Sequence, residues 1–278
     1  MRALGIDVGV GKGLDLVLMD ERRVPLRVVS RLGIGLLGAM IDELAPEVIA
    51  IDAPPSWATG GRSRRTERDL AQFNIHAFNT PVDGKGNAFY DWMQVGFRAF
   101  RIAAKAGFPR YAAGSPRGTA MEVFPHATAT ALAGCLPPKG ARKKAWREGV
   151  LRAQGVWTDD LRTGDQIDAA LAALTGVIVL QGRHFAPGDP KEGVIVLPVT
   201  TLPARPFRPC PDEGAEAPPP LFSYCGCGDP TCAELTRSEF APGHDAKRKS
   251  MLWQRARDGQ DAIDELRRRG WKIPPEMR

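Results

Sequence analysis

The chain has 278 residues, 43% of them hydrophobic and 25% charged, a balance that excludes disorder of the whole chain and provides for a sizeable core. One large domain, or an ordinary domain with a small appendix, is expected. No apolar run approaches the roughly 18 residues that a membrane span needs, and the opening MRALGIDVG turns polar at Asp7, so a cytoplasmic protein without a membrane partner is expected. A net charge of +6 and a pI near 9.2 permit nucleic acid as a partner without singling it out.

Residues 2–10, 14–20 and 24–32 read as three short strands separated by turn chemistry, first Gly11 and Gly13, then Arg22 and Arg23 before Pro25. They form a predicted β-meander. A helix is predicted over 34–45, stopped by Pro46, and EVIAIDAPP follows as an apolar strand of the kind buried on both faces, ending at Asp52. Residues 56–86 are polar and rich in Arg and Gly, a poor core segment and a good functional loop. A helix over 87–106 closes this stretch. AMEVFPHATATAL restarts a strand that Pro125 is expected to end, because proline supplies no ladder donor. After a basic stretch of helical spacing over 139–152 comes TGDQIDAALAALTGVIVL, with Thr163 as N-cap and Ile167, Leu171, Leu174 and Ile178 as a core stripe. EGVIVLPV reads as one more strand. The predicted organisation is a domain over 1–205, a Pro-rich acidic linker over 206–222 and a small module over 223–278.

Four acids sit where chemistry is expected: Asp7 in the first strand, Asp52 at the end of the strand after the first helix, and Asp165 with Asp168 on the long helix. Acids among Leu, Gly, Ile, Val and Ala are costly when buried without compensation, so a chain that keeps them is expected to pair them with cations, magnesium above all. Residues three apart on a helix share a face, which points Asp165 and Asp168 the same way. Several carboxylates around one or two divalent ions are the machinery of phosphodiester hydrolysis. Three of the acids also have a plain structural role open to them: a strand turn for Asp7, a loop cap for Asp52, a helix N-terminal charge for Asp165. Glu122 and His126 in MEVFPHA are further candidates, because alternation puts Glu122, Phe124 and His126 on one strand face; His126 equally suits a loop histidine bonded to backbone. Arg62, Arg64, Arg65 and Arg68, together with Lys85, form either a phosphate clamp or a solvated charge run.

GIDVG, IAIDAPPSW, GGRSRRTER, NTP before a helix with DWM, EVFPHA and DQIDAALAALTG together resemble the domain of unknown function 429 family, predicted nucleases with an RNase H fold. The resemblance covers about residues 1–200 and implies an α/β fold, a mixed five-stranded sheet flanked by helices. More distantly the arrangement is similar to Holliday-junction resolvases of the RuvC type, with acids on the first strand, on the fourth strand and three apart on the last helix. By that resemblance Asp7, Asp52, Asp165 and Asp168 carry the metal role, with Mg²⁺ or Mn²⁺ as cofactor, DNA or RNA as partner and Glu122 as an added catalytic candidate. This chain departs from the resolvase pattern in having Asp in place of Glu on the fourth strand, which shortens the reach by one methylene.

Other readings are weaker. Gly9, Gly11, Lys12 and Gly13 mimic a phosphate loop, but Ile6 and Gly13 stand where a Walker motif needs Gly and Ser or Thr, and the next segment alternates as a strand where a dinucleotide fingerprint needs a helix. An actin-like or sugar-kinase-like ATP-binding protein shares the meander start but normally needs two such domains. A non-catalytic nucleic-acid binder on the same fold is the other alternative. Five cysteines, four of them late in the chain, argue for metal over disulfides. Cys225, Cys227, Cys232 and His244 form a candidate structural Zn²⁺ site, with Cys210 as spare or as replacement for Cys232.

Overall fold

The structure, a computed structural model, describes residues 1–84 and 86–211, and beyond them the backbone of the strand pair 223–224 and 235–236. The chain separates into two compact units, Met1–Ala215 and Glu216–Arg278.

In the first unit, β1 (Arg2–Gly9), β2 (Gly13–Asp20) and β3 (Pro25–Leu32) form the expected antiparallel meander. Gly13 sits at φ 87° where the hairpin closes, and a Cβ there would lie 2.7 Å from the Arg31 carbonyl carbon, so both backbone angle and space require glycine. After α1 (Leu37–Leu44), β4 (Val48–Asp52) returns parallel to β1, and β5 (Ala120–Glu122) adds parallel to β4. The sheet order is β3-β2-β1-β4-β5. This is the mixed five-stranded, RNase H-like architecture that the sequence led us to expect.

Strand alternation sorts the core into two layers. Leu4, Ile6, Leu16, Ile49 and Ile51 face α1 and α3 (Asp91–Lys105). Ala3, Val17, Val48, Ala50 and Met121 face the other way, against α6 (Gly164–Leu180). That helix lies unusually close to the sheet. A Cβ on Gly5 would sit 2.0 Å from the Ala169 carbonyl oxygen and 2.3 Å from the Ala173 nitrogen, and one on Gly176 would sit 2.6 Å from the Ala3 Cβ. Gly5 therefore lets the strand backbone meet the helix backbone, and Gly176 leaves room for the side chains of Ala3 and Val48. The start of α6 is set by a reciprocal cap: the Gln166 N–H donates to the Thr163 hydroxyl, and the Thr163 N–H donates to the Gln166 side chain.

Several sequence expectations need correction. The helices expected over 34–45 and 87–106 each begin with a 3₁₀ turn, Ile34–Leu36 and Ala88–Tyr90, before the α-helix proper. The strand through MEVFPHA stops at Glu122, and Pro125 opens α4 (Pro125–Ala133) instead of merely ending a strand. Proline at the first helical position loses nothing, because that N–H has no intrahelical partner anyway. His126 thus lies on a helix, not in strand alternation with Glu122. Arg65–Ala71, inside the expected loop, is α2, and the basic stretch folds as α5 (Lys143–Ala153). Of EGVIVLPV, only Gly193–Val194 (β7) pairs as a strand, with Gly188–Asp189 (β6), while Ile195 bridges Glu122.

The cysteine reading also changes. Cys135 and Cys210 form a disulfide across 75 residues of sequence, so Cys210 is no spare zinc ligand. The Leu136 N–H donates to the Arg208 carbonyl and the Cys210 N–H to the Leu136 carbonyl, which brings the two segments side by side. In the second unit, β8 (Ser223–Tyr224) pairs antiparallel with β9 (Leu235–Thr236). The zinc candidates Cys225, Cys227, Cys232 and His244 lie outside the described residues, as does Lys85. Among the described residues no helix is long and apolar enough to cross a membrane.

Candidate active site

Asp7 lies in register with Asp52, the last residue of β4, and on its other side with Asp15 of β2. Register partners on adjacent strands project to the same face, here the face that α6 covers. Because α6 rests directly on Gly5, its second turn carries Asp168 down to this row. Asp7, Asp52 and Asp168 each offer an oxygen, and these atoms lie within 4.8 Å of one another.

The electrostatics of this cluster are strained. Burial, then the charges of Asp168, Asp165 and Asp15, push the Asp7 carboxyl up to about 8, although a hydrogen bond with Asp52 draws it back. Burial, then Asp7 and Asp168, push Asp52 well above the usual carboxylate range. Burial also raises Asp168, while Arg147 of α5 opposes the rise by donating from Nη1 to both its oxygens at 2.6 and 2.5 Å. The donors offered are carboxylate oxygens alone, which suit hard cations such as Mg²⁺ or Mn²⁺, and a cation would relieve the mutual repulsion.

Asp165, the fourth expected acid, does not join the three. It is 43% exposed and lies 3.7 Å from Lys12. Glu122 lines the same cleft as Asp52 and Asp168 but is bound elsewhere. Arg64 grips it through Nη1 and Nη2 at 2.7 and 2.6 Å, and donates from Nε to Glu67 at 2.9 Å. The Thr80 N–H and hydroxyl complete Glu67 at 2.9 and 2.5 Å. Of the expected phosphate-clamp arginines, then, Arg64 is buried in an ion network. Arg62 is exposed, Arg65 is exposed and lies 3.6 Å from Asp69, and Arg68 donates to the Ser63 carbonyl. Neither Arg62 nor Arg65 lines the cleft.

The cleft encloses about 410 Å³ and has an aromatic side formed by Phe78, Phe89, Trp92 and Phe124. Phe78 is 64% exposed and Phe89 50%, and Phe78 meets Phe89 and Trp92 edge-on at 5.3 and 6.2 Å. His126 packs between Phe124 and Trp146, and burial, followed by the charges of Arg147 and Lys143, holds its imidazole down to about 4.

Sequence reasoning missed Arg147, Asp15 and Glu67. The basic helical stretch signalled that some residue of α5 would matter, but its periodicity does not say which of its cations turns toward Asp168. Asp15 was legible in principle, since hairpin register around Gly11 and Gly13 sets it opposite Asp7.

A sheet ordered β3-β2-β1-β4-β5, with three carboxylates converging from β1, β4 and the helix packed on them, defines an RNase H-like protein with an acidic site suited to a divalent ion. The chain belongs to the family described as Protein of unknown function (DUF429), whose model matches residues 5–192. No curated protein matches the sequence. Among solved structures, Thermus thermophilus RuvC is similar at 18% identity and a TM-score of 0.37, over 66% of this chain and 97% of that one. T. thermophilus RuvC in complex with Holliday junction substrate is similar at 18% identity and a TM-score of 0.38, over 66% and 96%.

Proposed function

We propose that this protein hydrolyses phosphodiester bonds of nucleic acid, with Asp7, Asp52 and Asp168 holding Mg²⁺ or Mn²⁺. The observation that carries the reading is the convergence of three half-buried carboxylates whose oxygens lie within 4.8 Å of one another and share too few cations. An ion bound there would lower the pKa of a water molecule and polarise a phosphoryl oxygen. The chain's own part is to hold the ion by oxygen ligands, to keep Asp168 oriented through Arg147, and to exclude bulk water by burial. The exposed ring faces of Phe78 and Phe89 beside the acids favour nucleic acid as the substrate, because nucleobases stack on aromatic rings irrespective of sequence.

The test is cleavage of labelled single-stranded, duplex and branched DNA and RNA with magnesium or manganese, by wild type and by Asp52→Asn. Metal-dependent cutting that the substitution abolishes supports the reading. Binding of nucleic acid without cutting by wild type would replace it with a non-catalytic binder on the same fold, and binding of adenine nucleotides would favour the ATP-binding alternative. For the second unit the reading rests on sequence alone: Cys225, Cys227, Cys232 and His244 as ligands of one structural zinc. Elemental analysis of protein purified without added metal tests it, and less than about half an equivalent of zinc would reject it.

A further inference from the structure

We propose that Arg147 stands in for a second cation at the carboxylate cluster, so that the centre takes one divalent ion and not two. This deepens the nuclease reading, yet the number of ions is open to measurement whether or not the protein cuts anything.

Three observations lead here. The first is the charge balance of the described site. Asp7, Asp52 and Asp168 fully ionised carry three negative charges, and the Arg147 guanidinium removes one. A single divalent ion cancels the remainder of this group, whereas a second would set a dication beside a guanidinium. The second is the ligand supply. Paired-ion centres hold their metals roughly 3.5–4 Å apart and need carboxylates to bridge and flank them. Here Arg147 holds both oxygens of Asp168, with the two side chains only 14% and 18% exposed, and Asp165 has turned outward toward Lys12.

The third observation concerns what Arg147 has left to give. Its Nε is buried and has no hydrogen-bond partner. Buried donors are nearly always satisfied, and an orphaned one on a residue lining a cleft is what a bound anion would complete. A guanidinium that binds Asp168 through Nη1 can offer Nε–H to a phosphate oxygen and so supply the second positive charge of the centre. Nearby Lys143 adds to the same positive field, which is felt at His126.

The experiment uses the full chain and manganese alone as probe. Calorimetric titration counts ions and gives their affinity, and frozen-solution electron paramagnetic resonance separates an isolated Mn²⁺ from a spin-coupled pair. An Asp7→Asn, Asp52→Asn double variant subtracts any ion bound away from the cluster. The expected result is one isolated Mn²⁺ per chain that the double variant loses. Arg147→Lys keeps this count. Arg147→Met, which retains bulk without charge, binds a second ion or binds the first at least tenfold more tightly. Two coupled ions in the wild type would overturn the proposal, as would no ion at all, or an Arg147→Met variant that folds normally and shows the count and affinity of the wild type within twofold. One ion without cleavage of any substrate leaves this inference standing and removes the nuclease reading; two ions with cleavage does the reverse.

Discussion

Two clusters of charge, one buried and one half-buried, meet at one cleft and differ in how they are balanced. Around Arg64, two carboxylates meet one guanidinium and the N–H and hydroxyl of Thr80, and Arg64 spends three side-chain nitrogens on Glu67 and Glu122. At Asp7, Asp52 and Asp168, three carboxylates share the single guanidinium of Arg147. The first cluster is complete within the chain. The second is not, and a half-buried group of charges that the protein leaves uncompensated points to a ligand from outside. Glu122 shows how the contrast reassigns a residue: it borders the cleft, yet its charge belongs to Arg64 and the joining of α2 to β5.

The strongest break of this comparison is Arg64→Met. It strands Glu67 and Glu122 without their cation, so unfolding free energy should fall by about 3–5 kcal/mol, the usual cost of breaking a buried ion pair from one side. Denaturant melts measure it, and a loss under about 1 kcal/mol would mean the network is not structurally required. In the acid cluster the opposite substitution should spare the fold and remove function. Asp7→Asn and Asp52→Asn are each expected to cut metal-dependent cleavage by more than about 100-fold, since even partners of metal ligands cost 10–100-fold. Cleavage rates on labelled oligonucleotides check this, and retention of full activity by both variants would disconnect the cluster from the chemistry.

A smaller effect follows from the raised Asp7 carboxyl. Below about pH 4 this group is protonated both folded and unfolded and contributes nothing to stability. Between there and its folded value of about 8, the unfolded chain has lost the proton that the folded chain retains, so metal-free protein should lose stability as pH rises and level off above 8. Thermal melts in EDTA should therefore show a midpoint several degrees lower at pH 8 than at pH 5, and magnesium should restore it by binding the ionised form. Asp7→Asn should flatten the slope; an unchanged slope would place its origin elsewhere. The smallest effect is expected for Asp165→Asn. Half-exposed and held by Lys12, it should change cleavage by no more than about threefold, in line with a surface ion pair. A loss as large as that of Asp168→Asn would bring the fourth acid into the centre and favour paired ions.

Much of this was legible in the sequence. Turn glycines and alternating apolar residues defined the meander, EVIAIDAPP announced a central strand, and the Thr163 cap with its apolar stripe announced α6. The acids stood out because each interrupts an apolar run, a local signal that needs no knowledge of the fold. The departures have local causes too. Pro125 is compatible with both a strand end and a helix start, and only the packing of α4 against α6, where the Thr128 and Thr175 hydroxyls meet at 2.9 Å, selects the helix.

From sequence alone, then, came the order of elements and the identity of Asp7, Asp52 and Asp168 as acids out of place, because propensity, alternation and burial cost act over a few residues. Tertiary structure decided which charges compensate which. Of four arginines in one loop it buried Arg64 beside Glu122, and of a basic helix it turned Arg147 to Asp168. It also drew Asp165 away toward Lys12 and joined Cys135 to Cys210. Such pairings depend on how closely separate elements approach, as Gly5 allows for α6, and a distance of that kind is a property of the packed molecule that no stretch of chain carries by itself.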